Sequence, residues 1–145
     1  MLAESVQSQW AWWDRVMNVN LRAVFFCCQA AAGMMAERGG HIVNVGDVAT
    51  DLVPPDYVPY TISKAGVAAL TRSLAAALGP HRIAVNCVAP GAVLKPAWLP
   101  AARWKAITRG RAGSPGDVAA AVVFFATCPR YVTGQVLGVD GGETA

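Results

Sequence analysis

Fourteen glycines stand in this chain of 145 residues, and no two of them are separated by a single residue. That absence excludes, within these residues, the G-x-G turn that seats a dinucleotide pyrophosphate on a helix N-terminus. Charge is scarce as well. Asp, Glu, Lys and Arg make up 14%, the net charge is +3, and the basic residues are scattered singly, so no nucleic-acid footprint is expected. The two histidines and four cysteines form neither a C-x-x-C pair nor any metal-ligand spacing, which argues against a metal site. Cys27 and Cys28, adjacent in an apolar helical run, read as small buried hydrophobes. The longest uncharged apolar stretch, Ala23 to Ala36, is too short to cross a bilayer. The opening MLAESVQSQWAWWDR lacks the basic-then-apolar layout of a signal peptide, so a cytoplasmic location is the expectation.

Hydrophobic residues are plentiful, at 54%, and the length suits a single packed domain, residues 1–145. Trp10 to Arg38 reads as one long helix ended by Gly39-Gly40. HIVNVG (41–46) is a buried strand candidate, followed by a loop with Pro54, Pro55 and Pro59. A second helix is expected over Tyr57 to Leu78, stopped by Gly79-Pro80. RIAVNCVAP (82–90) reads as another buried strand, and residues 92–112 as a lid or short irregular helix. Ser114 and Pro115 open a helix over 114–127, and GQVLGVDGG (134–142) is a last strand, with Asp140 holding a turn. Alternating helices and single buried strands predict an α/β fold, a parallel sheet with helices on both faces. Three strands with no glycine-rich turn suggest the second half of a larger fold.

The segment NVGDVATDLVPPDYVPYTISK (44–64) carries the chemistry. Tyr60 and Lys64, four apart, share one helix face. Free tyrosine and lysine have pKa values of about 10 and 10.4. Placed together in a cleft, the ammonium favours the phenolate and draws the tyrosine toward neutrality, making it a general acid. The alternative is a surface Tyr and Lys on an ordinary amphipathic helix. Asp47, thirteen residues before Tyr60, ends the strand. It serves either as an acceptor in the site or as a cap of its own loop through an Asx-turn. Trp98 and Trp104 are candidates to stack on a flat heterocycle, or to pack internally.

With these segments in view, the chain resembles the short-chain dehydrogenase/reductase family over essentially its whole length. YTISKAGVAALTRSLAAAL resembles the catalytic helix, with Tyr60 and Lys64 at Y-x-x-x-K. WDRVMNVNLRAVFF resembles the helix bearing the catalytic asparagine, here Asn20. RIAVNCVAPGAV resembles the strand and turn bordering the nicotinamide, and YVTGQVLGVDGG the C-terminal strand. The resemblance implies the C-terminal half of a Rossmann-type doubly wound parallel sheet, lacking the N-terminal glycine-rich half. It also implies roles. Tyr60 is the catalytic acid, and Lys64 lowers its pKa and binds the nicotinamide ribose. Asn20 holds a relay water, and the backbone at Pro90, Gly91 and Val93 contacts the nicotinamide. Family members commonly place a threonine just after this turn, where Val93 and Leu94 stand here. Most also carry serine where this chain has Asp47, and the aspartate is similar to the pteridine-reductase branch.

The resulting expectation is an NADPH-dependent reductase acting on a C=N or C=O bond of a pterin-like substrate, with Asp47, Tyr60 and Trp98 contacting it. A carboxylate suits a substrate presenting N–H groups, because it accepts where a serine hydroxyl can donate. A carbonyl reductase with Asp47 merely replacing serine, and an inactive fragment that only oligomerises, remain alternatives. The apolar helices 10–38 and 57–78 match a subunit interface in the family, so a homodimer or homotetramer is expected.

Overall fold

The computed structural model describes residues 6–52, 58–97, 99–108 and 111–145. Helix α1 (Val6–Met17) runs through a π-helical turn (Asn18–Arg22) into α2 (Ala23–Met35). Strand β1 (Gly40–Val45), a short α3 (Ala49–Leu52), α4 (Val58–Leu78) and β2 (Ile83–Pro90) follow. The chain then forms α5 (Ala101–Ile107), α6 (Pro115–Thr127) and β3 (Val136–Val139). The strands lie in the order β1-β2-β3, both pairings parallel, with Ile42 opposite Val85 and Val88 opposite Leu137. This is the expected α/β arrangement of three parallel strands with flanking helices.

The central strand explains its own sequence. Residues 83 to 89 of β2 are buried without interruption, because helices cover both faces. Ile83 and Val85 join Ile42, Cys28 and Ala75 in a core roofed by α2 and α4, while Val88 joins Phe125 and Cys128 on the opposite face under α6. Side-chain alternation along the strand makes that division. Asn86 survives in this apolar strand because both ends of its amide are paired: Nδ2 donates to the Val132 carbonyl at 2.8 Å and Oδ1 accepts from Gln135 N at 3.0 Å.

Helix α4 buries Pro59, Ser63, Val67, Thr71 and Ala75, one stripe at four-residue spacing. Tyr60 and Lys64 sit one position round from that stripe, on the flank of the buried face. Pro59, expected in the preceding loop, occupies the first helical turn, where its missing N–H costs nothing. Residues 53–57, including Pro54, Pro55 and the expected helix start at Tyr57, lie outside the described residues. α6 begins as its sequence predicts: Ser114 Oγ accepts from Asp117 N at 3.3 Å, and Asp117 Oδ2 accepts from Ser114 N at 2.7 Å, a reciprocal capping box behind Pro115.

Two element boundaries and the burial of one cysteine depart from the sequence reading. The expected single helix over 10–38 is broken by the π-turn and ends at Met35, with Gly39 N closing onto the Met35 carbonyl at 2.7 Å. The last strand is shorter than 134–142. Gly134 has a positive φ before it, and after it Asp140 takes the backbone N–H groups of Gly142 and Thr144, both at 3.0 Å. Cys27, expected to be buried with Cys28, is exposed, because the helix turn separates adjacent residues by about 100° and only Cys28 faces the sheet. Among the described residues, no helix is long and apolar enough to cross a membrane.

Candidate active site

The turns that follow the three parallel strands meet at one end of the sheet, the end at which open α/β sheets hold ligands. Backbone bonds lock them together. Gly46 N donates to the Val88 carbonyl (2.7 Å), Val48 N to that of Pro90 (3.2 Å), and Gly91 N to that of Val139 (3.0 Å). Above these turns lies a cleft of about 900 Å³, lined by Tyr60, by Pro90 to Leu94, by Leu99, Trp104 and Ile107, and by Glu143.

Asp47 does both of the things its position allows. Its Oδ1 accepts from Ala49 N at 2.7 Å, which closes an Asx-turn, and its Oδ2 accepts from the Tyr60 hydroxyl at 2.5 Å. The two alternatives posed by the sequence are not exclusive, since a carboxylate has two oxygens and several acceptor sites.

The electrostatics of Tyr60 run opposite to the sequence expectation. Burial pushes its phenol well above the ordinary tyrosine range, and the hydrogen bond to Asp47 and the carboxylate's charge push it further. Lys64 does not offset this. Its Nζ donates to the Val45 carbonyl at 3.2 Å and stands 5.8 Å from the centre of the Tyr60 ring. The nearest charge to the hydroxyl is negative, so the phenol is held protonated.

Asn20 lies in the π-turn. Its Nδ2 donates to Ser63 Oγ at 3.1 Å, and Ser63 Oγ donates to the Tyr60 carbonyl at 2.7 Å. The asparagine is thus tied to the helix that carries Tyr60 and Lys64. Gly66 allows the approach, since a Cβ there would stand 2.7 Å from Leu21 Cδ2. π-turns recur at functional sites because the extra residue re-aims side chains.

The structure gathers Tyr60, Asp47, Lys64 and Asn20 around the start of α4, and places Pro90, Gly91 and Val93 in the cleft wall beside Tyr60. Trp98 lies outside the described residues, whereas Trp104 lines the cleft from α5. Sequence reasoning missed Glu143 and Arg103. Arg103 lines the cleft from α5, and Glu143 Oε2 accepts from Ala92 N at 3.2 Å. No motif marks either of them. Gly91 is the nearest signal for Glu143, because a Cβ at this position would stand 2.7 Å from Glu143 Oε2 and 2.9 Å from Asp140 Cα.

The residues present fit a nicotinamide group. Among the described residues neither the N–H nor the carbonyl of Val93 has a backbone partner, which leaves a donor and an acceptor for a carboxamide in the wall shared with Tyr60. No cluster of His, Cys, Asp and Glu suited to a metal ion occurs among the described residues.

A parallel sheet with a tyrosine, lysine and asparagine gathered at the carboxyl ends of its strands defines the C-terminal part of a Rossmann-type α/β fold. The family described as enoyl-(acyl carrier protein) reductase matches residues 2–144, and the chain belongs to the short-chain dehydrogenase/reductase family. It is 44% identical over 138 residues to 3-oxoacyl-[acyl-carrier-protein] reductase FabG of Thermotoga maritima, covering 90% of this chain and 56% of that protein. It is 42% identical over 140 residues to (2S)-[(R)-hydroxy(phenyl)methyl]succinyl-CoA dehydrogenase subunit BbsD of Thauera aromatica, covering 91% and 56%. Among solved structures it is similar to the angucycline C-6 ketoreductase LanV with bound NADP (TM-score 0.82, 34% identity, 91% of this chain and 54% of that one). The chain spans about half the length of the curated relatives it matches. None of these three is named for a pterin, so the resemblance to the pteridine-reductase branch that Asp47 suggested is not shown.

Proposed function

We propose that this chain supplies the catalytic and nicotinamide-binding part of an NADPH-dependent reductase that converts a ketone to an alcohol. The observation that carries the reading is the Tyr60 hydroxyl, held protonated in a cleft whose adjoining wall is the Pro90–Val93 turn. The cofactor, when bound, supplies the hydride. Tyr60 delivers the proton to the carbonyl oxygen, Lys64 holds the nicotinamide ribose, and Asn20 carries a water through which the proton is replaced. Val93 binds the carboxamide through its backbone, so the absence of the usual threonine hydroxyl leaves this contact intact. Leu94, Leu99, Trp104 and Ile107 offer an apolar bed for the substrate's body. NADP rather than NAD is favoured by the NADP bound to LanV. The test is NADPH oxidation by the full-length protein with 3-oxoacyl thioesters and apolar ketones. Turnover that survives Tyr60→Phe defeats the proposal.

One observation favours a second reading. The Asp47 carboxylate, at the position where the family resemblance expects a serine, accepts from the Tyr60 hydroxyl, and a carboxylate there is better matched to an N–H-bearing ring such as a pterin. Reduction of a pterin that is lost in Asp47→Ser, with ketone turnover spared, would establish it. Equal loss of both activities would eliminate it.

We further propose that the protein self-associates through α1–α2 and α4. Trp10, Val19, Phe26 and Met34 are at least half exposed there, and Ile62 is exposed on α4. Light scattering at micromolar concentration tests this, and a monomeric mass would defeat it.

A further inference from the structure

Among the described residues that line the cleft, only Arg103 and Glu143 carry a full charge. Arg103 belongs to α5. Glu143 reaches in from the turn after β3 and meets the backbone of the Pro90–Val93 turn itself, where Oε2 accepts from Ala92 N at 3.2 Å. It also lines a smaller adjoining cavity of about 160 Å³ with Arg111 and Asp140.

The position of Glu143 is built. Its own N–H donates to the Asp140 carbonyl at 3.2 Å. The Asp140 side chain fixes both neighbours: Oδ1 accepts from Gly142 N at 3.0 Å, and Oδ2 from Thr144 N at 3.0 Å and Thr144 Oγ1 at 2.6 Å. Those bonds hold the Asp140 carboxyl below the usual range. Gly91, lacking a Cβ, leaves room for the carboxylate to lie against the turn. Glu143 Oε1 has no hydrogen-bond partner among the described residues. Asp47, the other carboxylate of the site, is committed to Tyr60 and Ala49.

We propose that Glu143 discriminates between the two redox forms of the nicotinamide, its carboxylate favouring the oxidised ring over the reduced one. The inference rests on the assignment of the Pro90–Val93 turn to the nicotinamide. Its physics is simple. The oxidised ring carries a positive charge and the reduced ring none, while the rest of the cofactor is the same in both. A fixed negative charge in the wall therefore acts on one form only. For a reductase this is a device that draws the reaction forward at the hydride step, because the charge that develops on the ring is met by one already in place. It also makes the oxidised cofactor slow to leave.

The experiment compares the affinities of NADP+ and NADPH in the full-length protein, by calorimetry and by NADPH fluorescence. Glu143→Gln keeps an oxygen for Ala92 N and removes the charge. It should weaken NADP+ about fivefold, while NADPH changes less than about twofold, as expected of a partly screened charge acting on one form. Glu143→Ala also removes the backbone bond, and should weaken both forms. Equal weakening of both by Glu143→Gln, or no change in either, overturns the proposal and leaves Glu143 a structural prop. Should the variants fail to fold, added salt on the wild type decides. The ratio of the two affinities should move toward unity with ionic strength, and a constant ratio overturns the proposal. Wild-type protein that binds neither form overturns the nicotinamide assignment itself, and this inference with it.

Discussion

Tyr60 and Asp47 share a hydrogen bond of 2.5 Å between a hydroxyl and a carboxylate thirteen residues apart. The bond joins the first turn of α4 to the turn after β1, and with the burial of the phenol it keeps protonated the tyrosine that faces the cleft. A serine at position 47 could donate or accept here, which would remove the carboxylate's share of the upward shift and leave that of burial. A carboxylate can only accept while ionised, so it stabilises the phenol.

The first prediction concerns that titration. Burial and Asp47 raise the Tyr60 pKa above its unfolded value, so the native state holds its proton when the unfolded chain has lost it. The associated stability is fully present below about pH 10 and declines as pH rises through the folded value. Ultraviolet titration of the three tyrosines should show one that ionises late or only on unfolding. Asp47→Asn should lower that late step, and Tyr60→Phe should remove it. Three tyrosines titrating together near the free value would contradict the assignment.

Activity should follow the same pair. Tyr60→Phe removes the only phenol in the cleft wall among the described residues, and should cost on the order of a hundredfold or more in kcat. Asp47→Ser should shift the rate toward higher activity in the alcohol-oxidising direction, because the phenolate that accepts the alcohol's proton then forms more readily. The measurement is the ratio of forward to reverse kcat against pH. A ratio unchanged by Asp47→Ser would show that the carboxylate only caps its loop.

The close approach at Gly91 has a stability cost attached. Gly91→Ala would bring a Cβ to within 2.9 Å of Asp140 Cα, a backbone atom that cannot swing aside. The overpacking should destabilise by about 1–3 kcal/mol in denaturant melts. Gly66→Ala is the control. The contact there is the mobile end of Leu21, and alanine improves helix propensity, so the net change should be small.

A buried polar chain behind the site should be equally sensitive. Cys28 Sγ donates to Asn44 Oδ1 at 3.3 Å, and Asn44 Nδ2 donates to Thr71 Oγ1 at 3.0 Å. Thr71→Val keeps the shape and leaves the Asn44 amide without its acceptor. Thermal or chemical denaturation should report a loss of about 1–3 kcal/mol. The double variant Asn44→Leu with Thr71→Val should recover part of that loss, because both polar partners are then gone.

What the sequence determined by itself is local in origin. The Ser114-Pro115 start of α6, the unbroken apolar run of β2 and the four-residue spacing of Tyr60 and Lys64 all follow from backbone rules acting within a few residues. Helices alternating with buried strands then fixed a parallel α/β sheet, since parallel strands need a covered crossover. What tertiary structure decided depends on groups far apart in the chain. The π-turn at Asn18–Arg22 has no Pro or Gly to announce it, and it takes its place against α4 where Gly66 admits Leu21. Glu143 reaches the Pro90–Val93 turn only because β3 pairs beside β2, which brings residues fifty-one apart into one hydrogen bond. The upward shift of the Tyr60 pKa has the same origin. Helical spacing places Lys64 on its face, but the burial of the phenol and the separation of Lys64 Nζ are properties of the packed cleft. Short-range periodicity says which residues share a face, and only the folded chain says which charge stands nearest.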